Sequence, residues 1–185
     1  KFNIVGVYTQ PPKKSKRGQK INPSPVEEFC KKNKINFKNP INLNSEEEFE
    51  NFKSTNPDVV IVVAYGQIIP KKFLSLAKLG FINIHASLLP KWRGAAPIQR
   101  TIMNLDNETG ISLMKLNKNL DEGPICSQYK IKIAKNMNSI DLSESLASLA
   151  SQKILTDLDN IYDGTINFAD QDHSKATYAN KIKKS

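Results

Sequence analysis

Asn83 and His85 stand two residues apart in the run FINIH, residues 81–85. On a strand that spacing puts both side chains on one face, about 6.5 Å apart along the backbone. His85 falls at the carboxyl end of such a strand, where open α/β sheets place their ligands. An asparagine supplies a neutral donor, and a histidine donates or exchanges a proton near pH 7. Together they suit the polarisation of a carbonyl and stabilisation of the oxyanion formed from it. The same spacing equally serves an asparagine that ties down a loop beside a satisfied core imidazole. Asn117–Gly123 (NKNLDEG) brings Asp121 and Glu122 after a predicted strand, with Gly123 permitting a tight backbone. An aspartate beside an imidazole fixes its tautomer and favours its charged form. Alone, an LDEG loop says little. Ser87–Gly94 (SLLPKWRG) reads in two ways. Trp92 is a core or lid aromatic between solvated Lys91 and Arg93, or the loop packs through Leu88 and Leu89 and holds His85 in place.

Other chemistries find no support. There is no GxSxG, and neither Cys30 nor Cys126 has a sequence partner for nucleophilic catalysis. His173 beside Asp170 and Asp172 reads as part of a polar tail. With His85 it makes only two histidines, so a histidine-rich metal centre is excluded and no metal is expected. Neither GxGxxG nor GxxxxGK[ST] is present, which argues against a dinucleotide dehydrogenase. The longest apolar run, Val59–Tyr65, has seven residues and cannot span a bilayer, and residues 1–8 lack a signal peptide's apolar segment. No membrane partner and a reduced, cytoplasmic setting are the expectation. Lysine and arginine total 27 against 18 acidic residues. Residues 1–45 carry ten basic and two acidic side chains, so nearly all of the net +9 belongs to the first quarter. A field localised this way steers a polyanion onto one face, and is also what a solvated loop would show.

The elements that must position these groups alternate. Phe2–Thr9 reads as a buried strand, and Gln10–Pro23, with three prolines and five basic residues, as a long exposed loop. Ser24 with Pro25 and Glu27, and Ser45 with Glu48, start two helices that end near Lys34 and before Pro57. Asp58–Ala64 is the continuous apolar run of a strand covered on both faces. A short helix over Lys72–Lys78, a strand over Phe81–His85 and a helix within Gly94–Asn104 follow. Ile111–Leu116 and Ile125–Ile133 are further strands. A box-like start at Asp141 and Glu144 opens a long helix stopping at Gly164. The pattern predicts an α/β fold, a mostly parallel sheet with helices on both faces.

The run NIHASLLPKWRGAAPIQR, residues 83–100, resembles the signature of the methionyl-tRNA formyltransferases, within the wider 10-formyltetrahydrofolate-dependent formyltransferase family. The resemblance extends to TQPPKKSKRGQKINPSPV at 9–26, VVAYGQIIP at 62–70, ETGISLMKLNKNLDEG at 108–123 and TYANKI at 177–182. It implies a Rossmann-like formyltransferase domain over residues 1–176 without that family's opening strand and helix. Residues 177–185 would then begin a linker to a C-terminal β-barrel.

The resemblance also implies an activity: transfer of a formyl group from 10-formyltetrahydrofolate to the methionyl α-amine of initiator tRNA. Asn83, His85 and Asp121 match the catalytic trio. Asn83 and a protonated His85 would stabilise the tetrahedral oxyanion, with Asp121 keeping the imidazole charged and relaying a proton through water. Ile68, Ile69, Ser87, Leu88, Leu89, Pro90, Leu116, Leu120 and Glu122 match the region around the pterin. Pro11–Asn22 matches a loop that enters the tRNA acceptor stem, with Arg17 its prominent arginine and Lys14, Lys16 and Lys20 adding phosphate contacts. Lys91 stands where arginine is common in the family. No obligate protein partner is implied. Two rivals remain. A formyltetrahydrofolate hydrolase or another such transferase would use much the same trio, and a nucleic-acid-binding module would leave the trio without a role.

Overall fold

The computed structural model describes residues 2–15 and 20–182, with only the backbone of residues 14, 15 and 20. Lys16 and Arg17 of the predicted tRNA loop lie outside the described residues. The chain divides into two compact units, one of residues 1–58 and 65–78, the other of residues 59–64 and 79–185.

In the first unit, β1 (Val7–Tyr8) pairs in parallel with β4 (Phe37–Lys38). The strand expected over residues 2–9 is thus two residues long, as its partner is, and Phe2, Ile4 and Val5 are exposed. Residues 10–23 were expected to contain no regular element. They hold β2 (Lys13–Ser15) and β3 (Lys20–Asn22), an antiparallel pair in register Lys13 with Asn22, Lys14 with Ile21 and Ser15 with Lys20. The prolines at 11, 12 and 23 lie just outside the ladder, so they cost it no hydrogen-bond donor. α1 (Pro25–Asn33) begins where Ser24 Oγ accepts the Glu27 N–H at 3.0 Å, and Lys34 closes it in the left-handed region. Ser45 Oγ likewise accepts the Glu48 N–H at the head of α2 (Glu46–Ser54). α3 (Lys71–Leu74) is shorter than expected and buries Phe73 completely, with the Phe49 and Phe52 rings at 5.4 and 5.3 Å.

The second unit is built on a four-stranded sheet in the order β5 (Val60–Val62), β6 (Phe81–His85), β7 (Glu108–Lys115), β8 (Ile125–Lys132). β5 runs parallel to β6, whereas β6–β7 and β7–β8 are antiparallel. The fold is α/β with a mixed sheet, and the mostly parallel arrangement expected from the sequence is corrected here. The cause is β7. Its interior residues Thr109–Met114 are all buried, the pattern of a central strand in a parallel sheet. Burial on both faces does not fix direction, and the connection through α4 (Pro97–Met103) returns the chain antiparallel. β5 is half-buried, short of the two-faced cover that its sequence suggested.

α5 (Ser139–Tyr162) starts two residues before the expected Asp141–Glu144 box. Asn138 is the cap: its Oδ1 accepts the Ile140 and Asp141 N–H groups, and Asp141 Oδ2 accepts the Asn138 N–H at 3.1 Å. Gly164 follows the helix at φ 67°. Leu142, Leu146 and Ile161 of α5 pack with Ile82, Ile111 and Leu113 of the sheet as the unit's core. Thr177 and Ala179 are bound to residue 93 of this unit. Arg93 donates its N–H to Thr177 O at 2.8 Å, Ala179 donates to Arg93 O at 2.7 Å, and Ala179 is fully buried. Among the described residues no helix is long and apolar enough to cross a membrane.

Ile82 is fully buried one residue from Asn83 and three from His85. Ile82→Ala is expected to cost about 2–5 kcal/mol of unfolding free energy through lost transfer energy and a residual cavity. Urea unfolding followed by circular dichroism measures it. A loss below about 1 kcal/mol would show that this core does not hold β6 in place.

Candidate active site

β6 presents Asn83 opposite Met114 and His85 opposite Ser112 on β7. His85 is buried, at 6% exposure. Its Nε2 lies 2.8 Å from the Trp92 carbonyl oxygen, which can only accept, so Nε2 carries a proton. Nδ1 faces Asp121 Oδ2 at 3.7 Å, an ion-pair separation beyond a direct hydrogen bond. The Asp121 side chain is 12% exposed, and its Oδ2 accepts the Gly94 N–H at 2.8 Å. Asn83 is half-buried, and its side-chain amide makes no hydrogen bond among the described residues, which leaves its donors available. Asn83, His85 and Asp121 therefore belong to one unit, and two of them are in contact.

The loop between β6 and α4 is fixed by buried polar groups. Ser112 Oγ donates to Ser87 O at 2.7 Å and accepts the Leu89 N–H at 2.9 Å, while Ser87 Oγ donates to Lys91 O. Gln128 Nε2 donates to Leu89 O and to Ser112 Oγ. Trp92 donates its ring N–H to Asp106 Oδ2, which also meets Lys91 Nζ at 2.8 Å. The reading of Arg93 as solvated is overturned. It is 1% exposed, with Nη1 on Glu122 Oε1 at 3.2 Å, Nε and Nη2 on Gln171 Oε1, and Nη2 also 3.2 Å from His173 Nδ1. His173 thus meets a cation, and among the described residues no cluster of His, Cys, Asp or Glu is arranged for a metal.

The loop after β7 has its own constraint. Asp121 lies at φ 50°, in the left-handed region that aspartate tolerates better than most residues. A Cβ at Gly123 would overlap the Lys115 carbonyl oxygen, so glycine is required there. Of the residues expected around a pterin, Leu89 is buried, while Ser87 is fully buried with its hydroxyl on a carbonyl. Leu88, Pro90 and Leu116 are half-buried, and Leu120 is exposed at 61%. Glu122 spends its carboxylate on Arg93 and on the Asn119 amide. Ile68 and Ile69 belong to the first unit. Sequence reasoning missed Ser112, Gln128, Gln171 and Thr177. Ser112 and Gln128 were signalled only by polarity inside strand segments, and Gln171 and Thr177, in a polar segment, by nothing. Cys126 makes a poor nucleophile: burial, and then the charge of Asp157, push its thiol up to about 11.

Fold comparison finds the same α/β fold in formyltransferases of known structure. A sugar N-formyltransferase from a Shewanella species superposes with TM-score 0.68 at 20% identity, over 82% of this chain and 58% of that one. The formyltransferase PseJ from Anoxybacillus kamchatkensis, solved with a UDP-linked formamido sugar and tetrahydrofolate, gives 0.67 at 20%, over 94% and 85%. A phosphoribosylglycinamide formyltransferase from Bacillus halodurans gives 0.67 at 22%, over 86% and 84%. The chain belongs to the formyl transferase family, whose model matches residues 1–158. Among curated relatives, methionyl-tRNA formyltransferases from Pelagibacter ubique and Coxiella burnetii are 56% and 45% identical over 100% and 98% of the chain. The chain spans 60% and 58% of their respective lengths.

Asp106 couples this site to pH. Burial alone would raise its carboxyl, but Lys91, Trp92 and Asn104 outweigh that and hold it below the ordinary carboxylate value. A carboxyl lowered on folding contributes stability above its unfolded value, and that contribution is lost as pH falls through the folded one. Asp106→Asn is expected to cost about 1–2 kcal/mol near neutral pH, discounted for the exposure of Lys91. The difference should shrink as pH falls through the acid range. Thermal melts of both proteins from pH 7 to pH 3 check this, and parallel curves would contradict it.

Proposed function

We propose that the protein transfers a formyl group from 10-formyltetrahydrofolate to the methionyl α-amine of initiator tRNA, in the cytoplasm, for translation initiation. The observation that carries the reading is the contact of His85 with Asp121 at 3.7 Å beside Asn83 on the same strand. A polar trio gathered around His85, at the carboxyl end of β6, suits acyl transfer to an amine better than a binding module. The methionyl-tRNA formyltransferases that match essentially the whole chain support the acceptor, and the folate-bound PseJ structure supports the donor.

The chain's own groups divide the work. Asn83 donates to the formyl oxygen as it gains charge. His85 holds Nε2–H on Trp92 O, so Nδ1 is the ring atom that exchanges a proton. The Asp121 carboxylate stabilises the imidazolium across 3.7 Å, a gap that one bridging atom closes during proton relay to the leaving nitrogen. Leu88, Leu89, Pro90, Leu116 and Leu120 supply apolar contact area for a flat heterocycle, and Ile68 and Ile69 are assigned the same role from sequence alone. Lys14, Lys16, Arg17 and Lys20 are assigned to tRNA phosphates from sequence. Residues 1–176 are assigned to the catalytic domain.

Product analysis tests the proposal. With formyl donor and charged initiator tRNA, the expected product is formylmethionyl-tRNA, and His85→Ala and Asp121→Asn should each lower kcat about 10²–10⁴-fold. Formate release that is indifferent to tRNA would instead favour a formyltetrahydrofolate hydrolase.

Arg17→Ala is expected to lower catalytic efficiency toward charged tRNA while leaving donor binding within about twofold. It should also reduce the salt slope of tRNA binding by about one unit. Steady-state kinetics with each substrate varied measures this, and unchanged efficiency toward tRNA would remove Arg17 from the interface.

A further inference from the structure

Gln171 lies 50 residues beyond Asp121 and is buried at 6% exposure. Its amide is used completely. Nε2 donates to Asp121 O at 2.9 Å and to Gly123 O at 2.8 Å, and Oε1 accepts from Arg93 Nε at 3.1 Å and Nη2 at 2.8 Å. The residue between those two carbonyls, Glu122, reaches Arg93 Nη1 at 3.2 Å. Arg93, Gln171 and the 121–123 backbone therefore form a closed ring of polar contacts around a loop that has reason to open. Asp121 sits at φ 50°, and Gly123 leaves no room for a side chain beside the Lys115 carbonyl. Left-handed backbone at a residue with a side chain persists only where its surroundings over-determine it.

The same ring reaches the reacting groups through Arg93's two neighbours. Trp92 O accepts from His85 Nε2, and Gly94 N–H donates to Asp121 Oδ2. Three consecutive residues thus hold the imidazole, the clamp and the carboxylate. We infer that Gln171, with Arg93, is a positioning residue that sets the Asp121 carboxylate against His85. This rests on the function proposed above. Gln171 touches no reacting atom and acts through Asp121.

The amide chemistry supplies a discriminating substitution. Gln171→Glu keeps an acceptor for Arg93 but replaces the two donors to the Asp121 and Gly123 carbonyls with a repelling oxygen. Formyl transfer kinetics on wild type, Asp121→Asn, Gln171→Glu and the double variant form a cycle. The expected result is a kcat lowered about 10–100-fold in Gln171→Glu, with donor KM changed less than about threefold. In the Asp121→Asn background the same substitution should change kcat less than about twofold. Equal losses in both backgrounds, or a kcat within twofold of wild type, would overturn the inference. Should Gln171→Glu not fold by circular dichroism, Gln171→Met, which removes both donors without adding charge, is read by the same criteria.

A second readout needs no turnover. The Gly94 amide reports whether Asp121 Oδ2 is in place, so its hydrogen exchange should be slow in wild type. In the folded Gln171 variant it should quicken at least tenfold while α5 amides keep their protection. Fast Gly94 exchange in wild type, or unchanged exchange in the variant, overturns the positioning role whether or not formyl transfer is found. An inactive wild type with the expected exchange pattern overturns only the proposed reaction.

Discussion

A guanidinium taken out of water must find partners for its donors, because an unpaired buried charge costs several kcal/mol. Arg93, at 1% exposure, meets that demand by drawing on segments far apart in the chain. Glu122 comes from the loop after β7, and Gln171 and His173 from the segment after α5. The main chain of residue 93 adds another tie, bracketed by Thr177 and Ala179. Much of the second unit's local order follows from this one desolvated cation. The loop carrying Asp121 is fastened at its carbonyls, and residues 92–94 are held where their own carbonyl and N–H groups face His85 and Asp121. The site is therefore built more from backbone held at fixed positions than from side chains reaching into a space. That is the arrangement electrostatic preorganisation requires, since dipoles that need not reorient cost nothing when charge develops.

Local rules carried the sequence reading a long way. Ser24 and Ser45 cap helices as their spacing predicts, and FINIH is a strand over the predicted residues. Where the reading failed, the missing information was about partners. Residues 2–9 have strand composition throughout, yet the ladder extends only as far as Phe37–Lys38 offers a neighbour. Lys13–Ser15 and Lys20–Asn22 have no apolar alternation to betray a hairpin, because their pairing is a backbone matter. The buried run of β7 reported burial without direction, so the sheet's antiparallel half was not legible.

The site was legible in its types and not in its support. Asn83 and His85 were found from a two-residue spacing, and Asp121 from a loop that meant little until a family resemblance was set beside it. Arg93 read as solvated for a sound reason, as charged side chains in turn-rich stretches usually are, whereas His173 is exposed as its polar tail suggests and still meets Arg93. Their separation of 80 residues hides the contact, and no periodicity reports it. Gln171 was invisible for the same reason, one amide in a polar segment whose two ends meet carbonyl and guanidinium across 48–78 residues of chain.

Lys91 and Arg93 show how differently two cations two residues apart are constrained. Lys91 is 45% exposed, touches one carboxylate oxygen of Asp106 at 2.8 Å, and lies 5.5 Å from the centre of the Trp92 ring. A point charge on a flexible stem meets both requirements, and so would a guanidinium. Arg93 faces three acceptors in different directions at 2.8 to 3.2 Å, with no solvent to complete an unfilled donor. Only a planar fork carries donors along those directions at once. An ammonium there would lose at least one partner, and Gln171 Oε1, in its buried setting, could be left without a donor. The residue that looks most like a spare surface charge in SLLPKWRG is thus the one whose chemistry cannot be exchanged for another cation.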